Sequence, residues 1–173
     1  AAALMLREEY GYSTLVLCPK NLVKMWQEHL DAYDVPGRVV SYTRAHRDLP
    51  DMRAYQFVIC DESHTLRSDK RRDYTAIKAY IENAGSKVLL LTATPYNIRF
   101  TDVANQLGLY IDDDDDLGLQ PLSAIHKNPR LPEQVDFKTN TMLAFRKSEE
   151  SDDWKRLMSE HLVRRTRSFI RAN

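Results

Sequence analysis

The 173-residue sequence is poor in the residues that mark several common kinds of site. It has five glycines, and none precedes a lysine, so the phosphate-binding loop G-x-x-x-x-G-K-[ST] does not occur in it. Its two cysteines, Cys18 and Cys60, lie in apolar runs and form no C-x-x-C pair, which favours buried free thiols in a reducing cytosol over a zinc site. No apolar run approaches the roughly 20 residues of a membrane span, so we expect no membrane partner.

The sequence also lacks an excess of charge of either sign. Twenty-five basic and 25 acidic residues give a formal net charge of zero, so any nucleic-acid site must come from local positive charge. The first residues contain neither the basic region nor the apolar core of a secretory signal, and the chain does not begin with Met. We therefore expect a fragment of a cytoplasmic protein, found in the nucleoid or nucleus if the parent associates with chromatin.

Two apolar runs that lead directly into polar residues are the most informative feature of the sequence. The run Phe57-Val58-Ile59-Cys60 leads into Asp61-Glu62-Ser63-His64, and the run Val88-Leu89-Leu90-Leu91 leads into Thr92-Ala93-Thr94-Pro95. Open α/β sheets place their ligand sites at the carboxyl ends of such strands. Asp61 suits a magnesium ion, and the adjacent Glu62 suits a carboxylate that polarises water. The pattern predicts hydrogen bonds from His64 to the hydroxyls of Thr92 and Thr94 across the two strand ends.

Strands alternate with amphipathic helices along the first 110 residues. Continuous apolar strands separated by helices predict an α/β fold with a parallel sheet and helices on both faces. The predicted strands are residues 14–18, 38–42, 57–60 and 87–91, and the predicted helices are residues 1–10, 21–32, 73–84 and about 100–107. Asn21 is the expected cap of the second helix, and residues 43–55 are expected to be a loop with a helical turn.

The pattern changes after residue 110. Residues 112–116 are five successive aspartates, which repel one another and resist packing, and prolines follow. We predict a core lobe at residues 1–110, an acidic, proline-containing and partly mobile insertion at 111–150, and a helix with an Arg-rich segment closing the lobe at 151–173.

Four segments in a consistent order resemble a known family. Asp61-Glu62-Ser63-His64 is similar to the DEAH-type motif of helicase superfamily two, and Thr92-Ala93-Thr94-Pro95 resembles its third motif. The segment from Leu15 to Leu22, followed by Trp26, resembles the first nucleic-acid-contacting motif of the Swi/Snf-like branch, and the segment from Leu162 to Ile170 resembles its Arg-Arg-Thr segment. The resemblance implies a single RecA-like lobe, of the P-loop NTPase type.

The resemblance also implies roles for individual residues. Asp61 and Glu62 would bind ATP and Mg²⁺ and catalyse hydrolysis, with Asp61 as the metal ligand. Coupling between the nucleotide and DNA sites would fall to the remaining residues of the two strand-end motifs: Ser63, His64, Thr92, Ala93, Thr94 and Pro95. Duplex DNA would contact Pro19, Lys20, Asn21, Arg164, Arg165 and Arg167. The other expected partner is a second RecA-like lobe of the same protein.

The missing phosphate loop departs from the family pattern. In the family this loop lies just before a helix such as residues 1–9, so the chain resembles a first lobe cut immediately after its loop. We expect the full-length parent to couple ATP hydrolysis to movement on duplex DNA. We expect this chain to bind neither ATP nor Mg²⁺ tightly, and leave its own enzymatic activity open.

Two alternative functions stay open at this point. A non-catalytic module could keep the helicase fold for DNA or protein contacts. A metal-dependent nuclease could use Asp61, Glu62 and His64, although side chains along a strand alternate faces and would converge on one metal only if the strand ended at Asp61.

Overall fold

The computed structural model describes residues 1–93 and 99–161. In chain order the elements are α1 (Ala2–Tyr10), β1 (Thr14–Cys18), α2 (Val23–Ala32), β2 (Gly37–Ser41), α3 (Tyr42–Asp48), β3 (Phe57–Asp61), α4 (Arg72–Ala84), β4 (Lys87–Leu91), α5 (Phe100–Leu107), α6 (Leu122–Lys127), α7 (Leu131–Gln134), α8 (Met142–Arg146) and α9 (Ser151–His161). Short 3₁₀ turns occupy Lys20–Leu22 and Ser63–Leu66. None of the helices in the described ranges has the length and apolarity needed to cross a bilayer.

The four strands form one parallel sheet in the order β2-β1-β3-β4. Residues at successive positions of each strand pack on opposite faces of the sheet. Leu15, Leu17 and Val58 contribute to the apolar cluster beside α3 and α4, whereas Val16 and Ile59 contribute to the cluster beside α1 and α2. Both faces are therefore covered, and the predicted α/β class with a parallel sheet is confirmed.

Two glycines mark the end of α1 and the start of β2. Gly11 ends α1 with a left-handed backbone, φ 68°, that favours glycine. Gly37 begins β2 opposite Thr14, where an added Cβ would lie 2.5 Å from the Thr14 carbonyl oxygen. The close pairing of β1 and β2 thus depends on the absence of a side chain at position 37.

Two local predictions are wrong. The α2 helix begins at Val23 after the Lys20–Leu22 turn, not at a cap formed by Asn21, because the Leu22 amide donates to the Pro19 carbonyl (3.0 Å) and closes a tighter turn first. Tyr42 begins α3 and does not end the preceding strand. The loop expected between residues 43 and 55 starts with the rest of this helix.

The described chain divides into two compact units, Ala1–Asp112 and a second that begins at Asp113. The second unit has its own apolar cluster, built from Ala124, Leu131, Val135 and Ala144, and an edge-on contact between the rings of Phe145 and Trp154. The carboxylate of Asp153 is fully buried and accepts hydrogen bonds from the amides of Ser123 and Ala124 at the start of α6. The predicted boundaries at residues 110 and 150 stay predictions.

The five residues of the aspartate run are all exposed, and three of them make specific contacts. Asp112 pairs with Lys78 at 2.6 Å within the first unit, and Asp113 pairs with Arg146 at 2.8 Å within the second. Asp116 forms an antiparallel bridge with Thr141. Mutual repulsion is offset here because the first two aspartates each have a cationic partner.

Candidate nucleotide site at the carboxyl edge of the sheet

The two strand-end motifs meet at one edge of the sheet. The β3 strand ends at Asp61, which pairs in register with Leu91, the last residue of β4. Thr92 follows Leu91 directly, so its hydroxyl lies beside the residues that follow Asp61. The predicted hydrogen bond between the strand ends is present: the Thr92 Oγ1 atom lies 3.3 Å from His64 Nδ1.

Asp61 is held by three neighbours. Its Oδ1 accepts a hydrogen bond from the Glu62 amide (3.0 Å), and its Oδ2 accepts one from the Trp26 indole Nε1 (2.7 Å). Its main-chain carbonyl accepts one from the Tyr42 hydroxyl (2.6 Å). Burial, reinforced by the nearby Cys60, raises the pKa of Tyr42 far above its ordinary value, so this phenol remains a donor. The half-buried Asp61 carboxylate thus has a fixed orientation.

Glu62 adopts an unusual backbone conformation. Its φ of 53° and ψ of 46° are left-handed, which costs a non-glycine residue about 1 kcal/mol or more. The strand therefore stops at Asp61, and the chain turns into the 3₁₀ segment that carries Ser63 and His64. Backbone strain of this kind concentrates at functional sites.

The turn brings Glu62 and His64 together. Glu62 Oε2 lies 3.2 Å from His64 Nδ1, and the two side chains are 40% and 34% exposed. The contact joins a carboxylate oxygen, which can accept a hydrogen bond, to a ring nitrogen that can donate one. Glu62 thus keeps access to water while His64 restrains its carboxylate.

Ser63 lies inside the protein. It is fully buried, and its hydroxyl donates to Oε1 of Gln106 at 2.9 Å. Gln106 belongs to α5 and is 4% exposed. Sequence reasoning missed Gln106, although its position three residues after the buried Val103 places this polar side chain on the inward face of α5. The contact ties the Asp61 motif to the helix that follows the second motif.

The segment expected to contact nucleic acid lies at the same edge. Pro19, Lys20 and Asn21 follow the last residue of β1, and Lys20 and Asn21 are exposed. Ala93 is exposed beside Thr92. The other predicted residues lie outside the described ranges: Thr94, Pro95, Arg164, Arg165 and Arg167.

The described side chains suit a magnesium ion held mainly by water and phosphate. Within residues 1–93 and 99–161 there is no group of three or more His, Cys, Asp or Glu side chains that could hold a metal. Magnesium commonly uses one or two carboxylates and completes its shell with water and substrate oxygens, so Asp61 alone fits that demand. The β3 strand ends at Asp61, so alternation along a strand does not argue against a nuclease that uses Asp61, Glu62 and His64. A nuclease of this kind would need a cluster of three metal ligands, and none is found among the described residues.

The chain has similarity to known proteins in sequence and in fold. No family model matches the chain. A curated relative, the "Uncharacterized ATP-dependent helicase YqhH" of Bacillus subtilis (strain 168), is 27% identical over 114 residues, covering 55% of this chain and 20% of the relative. A solved structure, the "Sulfolobus solfataricus SWI2/SNF2 ATPase core in complex with dsDNA", matches 95% of this chain and 36% of its own with a TM-score of 0.60 and 18% identity.

The chain is similar in sequence to a protein named as an ATP-dependent helicase and similar in fold to part of a SWI2/SNF2 ATPase core. The likeness to the solved structure concerns the fold, a four-stranded parallel sheet with helices on both faces. The chain spans about a fifth of the curated relative and about a third of the solved one. The activity and partners of a whole helicase therefore enter only as proposals.

Proposed function

We propose that this chain is part of the first motor lobe of an ATP-dependent DNA translocase. In the full-length protein it would couple ATP hydrolysis to movement along duplex DNA. The observation that carries the proposal is the convergence of Asp61, Glu62, His64 and Thr92 at the carboxyl edge of the sheet. The relationship to a protein named as an ATP-dependent helicase supports it.

Each side chain has a defined part in this proposal. Asp61 is oriented by two hydrogen-bond donors to hold a magnesium ion, which, when bound, neutralises negative charge on the phosphates. Glu62 keeps a partly exposed carboxylate that orients the attacking water and accepts its proton. His64 contacts both Glu62 and Thr92, so a movement of the end of β4 would change the position of the catalytic carboxylate.

Nucleotide binding by the chain alone is expected to be weak. The sequence has no G-x-x-x-x-G-K-[ST] loop, and that loop supplies most phosphate contacts in this class of site. Calorimetric titration of the 173-residue chain with Mg·ATP should give a dissociation constant no tighter than about 1 mM, or roughly −4 kcal/mol. Micromolar binding would show that other residues of this chain cradle the phosphates.

Duplex DNA is the second proposed ligand. Lys20 is exposed at the carboxyl end of β1, beside main-chain amides, and Arg164, Arg165 and Arg167 add local positive charge to a neutral chain. We expect weak, sequence-independent binding that falls steeply with salt, because phosphate contacts release counterions.

Fluorescence anisotropy of a labelled duplex at low and moderate salt tests this expectation. The combined replacement of Lys20, Arg164 and Arg165 by Ala should weaken binding. Lys87→Ala is the matched control for Lys20→Ala, because Lys87 is an exposed lysine at the opposite, amino edge of the sheet. A triple variant that binds like the unmodified chain would remove these residues from the DNA surface.

The alternative is a binding module that keeps the fold without catalysis. The two proposals differ in what lies upstream in the gene. An in-frame Gly-Lys-Thr or Gly-Lys-Ser segment before Ala1 excludes the non-catalytic module, whereas a native start at this position favours it.

A further inference from the structure

We propose that Trp26 is the positioning residue for the metal-binding carboxylate of Asp61. This inference rests on the proposed role of Asp61. The indole Nε1–H of Trp26, on α2, donates to Asp61 Oδ2 at 2.7 Å, across 35 positions of sequence.

The geometry gives the Asp61 carboxylate one defined plane. Oδ2 is held by Trp26, and Oδ1 is held by the Glu62 amide at 3.0 Å. Each carboxylate oxygen has two lone pairs, so one donor on each oxygen leaves capacity for a cation. Two donors attached to different elements thus fix the direction in which the remaining lone pairs point.

Trp26 is itself well anchored. Its half-buried ring packs against the cluster that contains Val16, Cys18 and Ile59, and it lies 6.3 Å, between ring centroids, from His29 on the same helix. A phenylalanine would supply the apolar contact of the ring, but only an indole supplies the N–H that reaches Asp61. Packing explains why an aromatic residue stands here, and the hydrogen bond explains why it is tryptophan.

Residues that hydrogen-bond a metal ligand tune the affinity of the site. Loss of such a partner commonly weakens metal binding by about 10- to 100-fold. The Trp26 donor is uncharged and the site is half-exposed, so the lower end, about tenfold, is the expected effect of removing it.

Manganese is a paramagnetic substitute for magnesium that makes weak binding visible by nuclear magnetic resonance. The backbone amide of Glu62 is a suitable reporter, because it contacts Asp61 and is present in all the variants proposed below. Titration of the 173-residue chain with MnCl₂ should broaden this amide signal at low concentrations, and excess MgCl₂ should restore it.

Trp26→Phe should raise the MnCl₂ concentration for half-broadening of the Glu62 signal about tenfold. Benzothienylalanine at position 26 should do the same, since it keeps the bicyclic shape and replaces the N–H with sulfur. That replacement separates positioning from packing even if the phenylalanine variant folds poorly. Met25→Ala, at an exposed neighbour on α2, should leave the titration unchanged.

Asp61→Asn distinguishes cation binding by Asp61 from the positioning of its carboxylate by Trp26. If the broadening persists in this variant, Asp61 does not bind the cation, and the proposed metal role fails together with this inference. If Asp61→Asn abolishes the broadening but both position-26 variants titrate like the unmodified chain, Trp26 does not position the carboxylate, while the proposed function stands.

Discussion

The buried contact between Ser63 and Gln106 should stabilise the first unit by a measurable coupling energy. The Ser63 hydroxyl is fully buried, and it donates to Gln106 Oε1 at 2.9 Å. Ser63→Ala leaves the amide oxygen without this donor, and Gln106→Ala leaves the hydroxyl without this acceptor. Each loss is expected to cost about 1–3 kcal/mol of unfolding free energy, because a buried hydrogen bond loses one of its two partners.

The double variant removes both partners, so its cost should be smaller than the sum of the single costs. The expected interaction energy is about 1 kcal/mol, the usual net value of a hydrogen bond between neutral groups. Hydrogen exchange at the amides of β1 and β3 measures this in the intact chain, because these buried strands open only with the unit that contains them.

Ser86→Ala is the matched control. Its hydroxyl donates to the Tyr55 carbonyl near the amino edge of the sheet, and it shares no hydrogen-bond partner with Gln106 in the described structure. Combined with Gln106→Ala, it should be additive to within about 0.5 kcal/mol. An interaction energy near zero for Ser63 with Gln106 would refute the claim that α5 holds the Asp61 motif in place.

Three further predictions concern individual residues. Gly37→Ala should lower the unfolding free energy by about 1–3 kcal/mol in urea titrations, because its Cβ would meet the Thr14 carbonyl at 2.5 Å; a neutral result would mean that the strands separate freely. Asp153→Ala should cost the second unit about 3 kcal/mol or more by hydrogen exchange in α6, since two amides and the Ser148 hydroxyl lose their acceptor, and a cost below about 1 kcal/mol would contradict this. Burial raises the pKa of Cys60 to about 12, and burial together with the Asp61 charge raises the pKa of Cys18 to about 11. Neither thiol should therefore react with iodoacetamide at pH 8 until the chain is denatured. Rapid labelling of the folded chain would count against both pKa shifts.

The sheet and its edge could be predicted from the sequence because they follow from local patterns. The predicted strands at residues 14–18 and 87–91 match β1 and β4 residue for residue, and α4 ends at Ala84 as predicted. Parallel strands place their carboxyl ends at one edge, which brings Thr92 to His64. These predictions need no knowledge of side chains distant in sequence.

The contacts that complete the site depend on tertiary packing and were not predicted. Trp26 reaches Asp61, Tyr42 reaches the same residue's carbonyl, and Gln106 reaches Ser63, over separations of 19 to 43 positions. The left-handed backbone of Glu62 could not be predicted from the sequence either, because glutamate has no preference for that conformation. The ion pairs of the aspartate run were not predicted for the same reason, since their cations lie on α4 and α8.

Glu62 is the proposed carboxylate that activates water in an ATP-hydrolysing motor. The most direct test is the duplex-stimulated ATPase rate of a full-length protein that contains this lobe, a phosphate loop and a second lobe. Glu62→Gln should abolish hydrolysis and spare ATP binding, because it keeps the shape of the side chain and removes only the base. Glu28→Gln, at an exposed glutamate on α2, should leave the rate unchanged. A Glu62→Gln protein that turns over ATP near the unmodified rate would contradict the account.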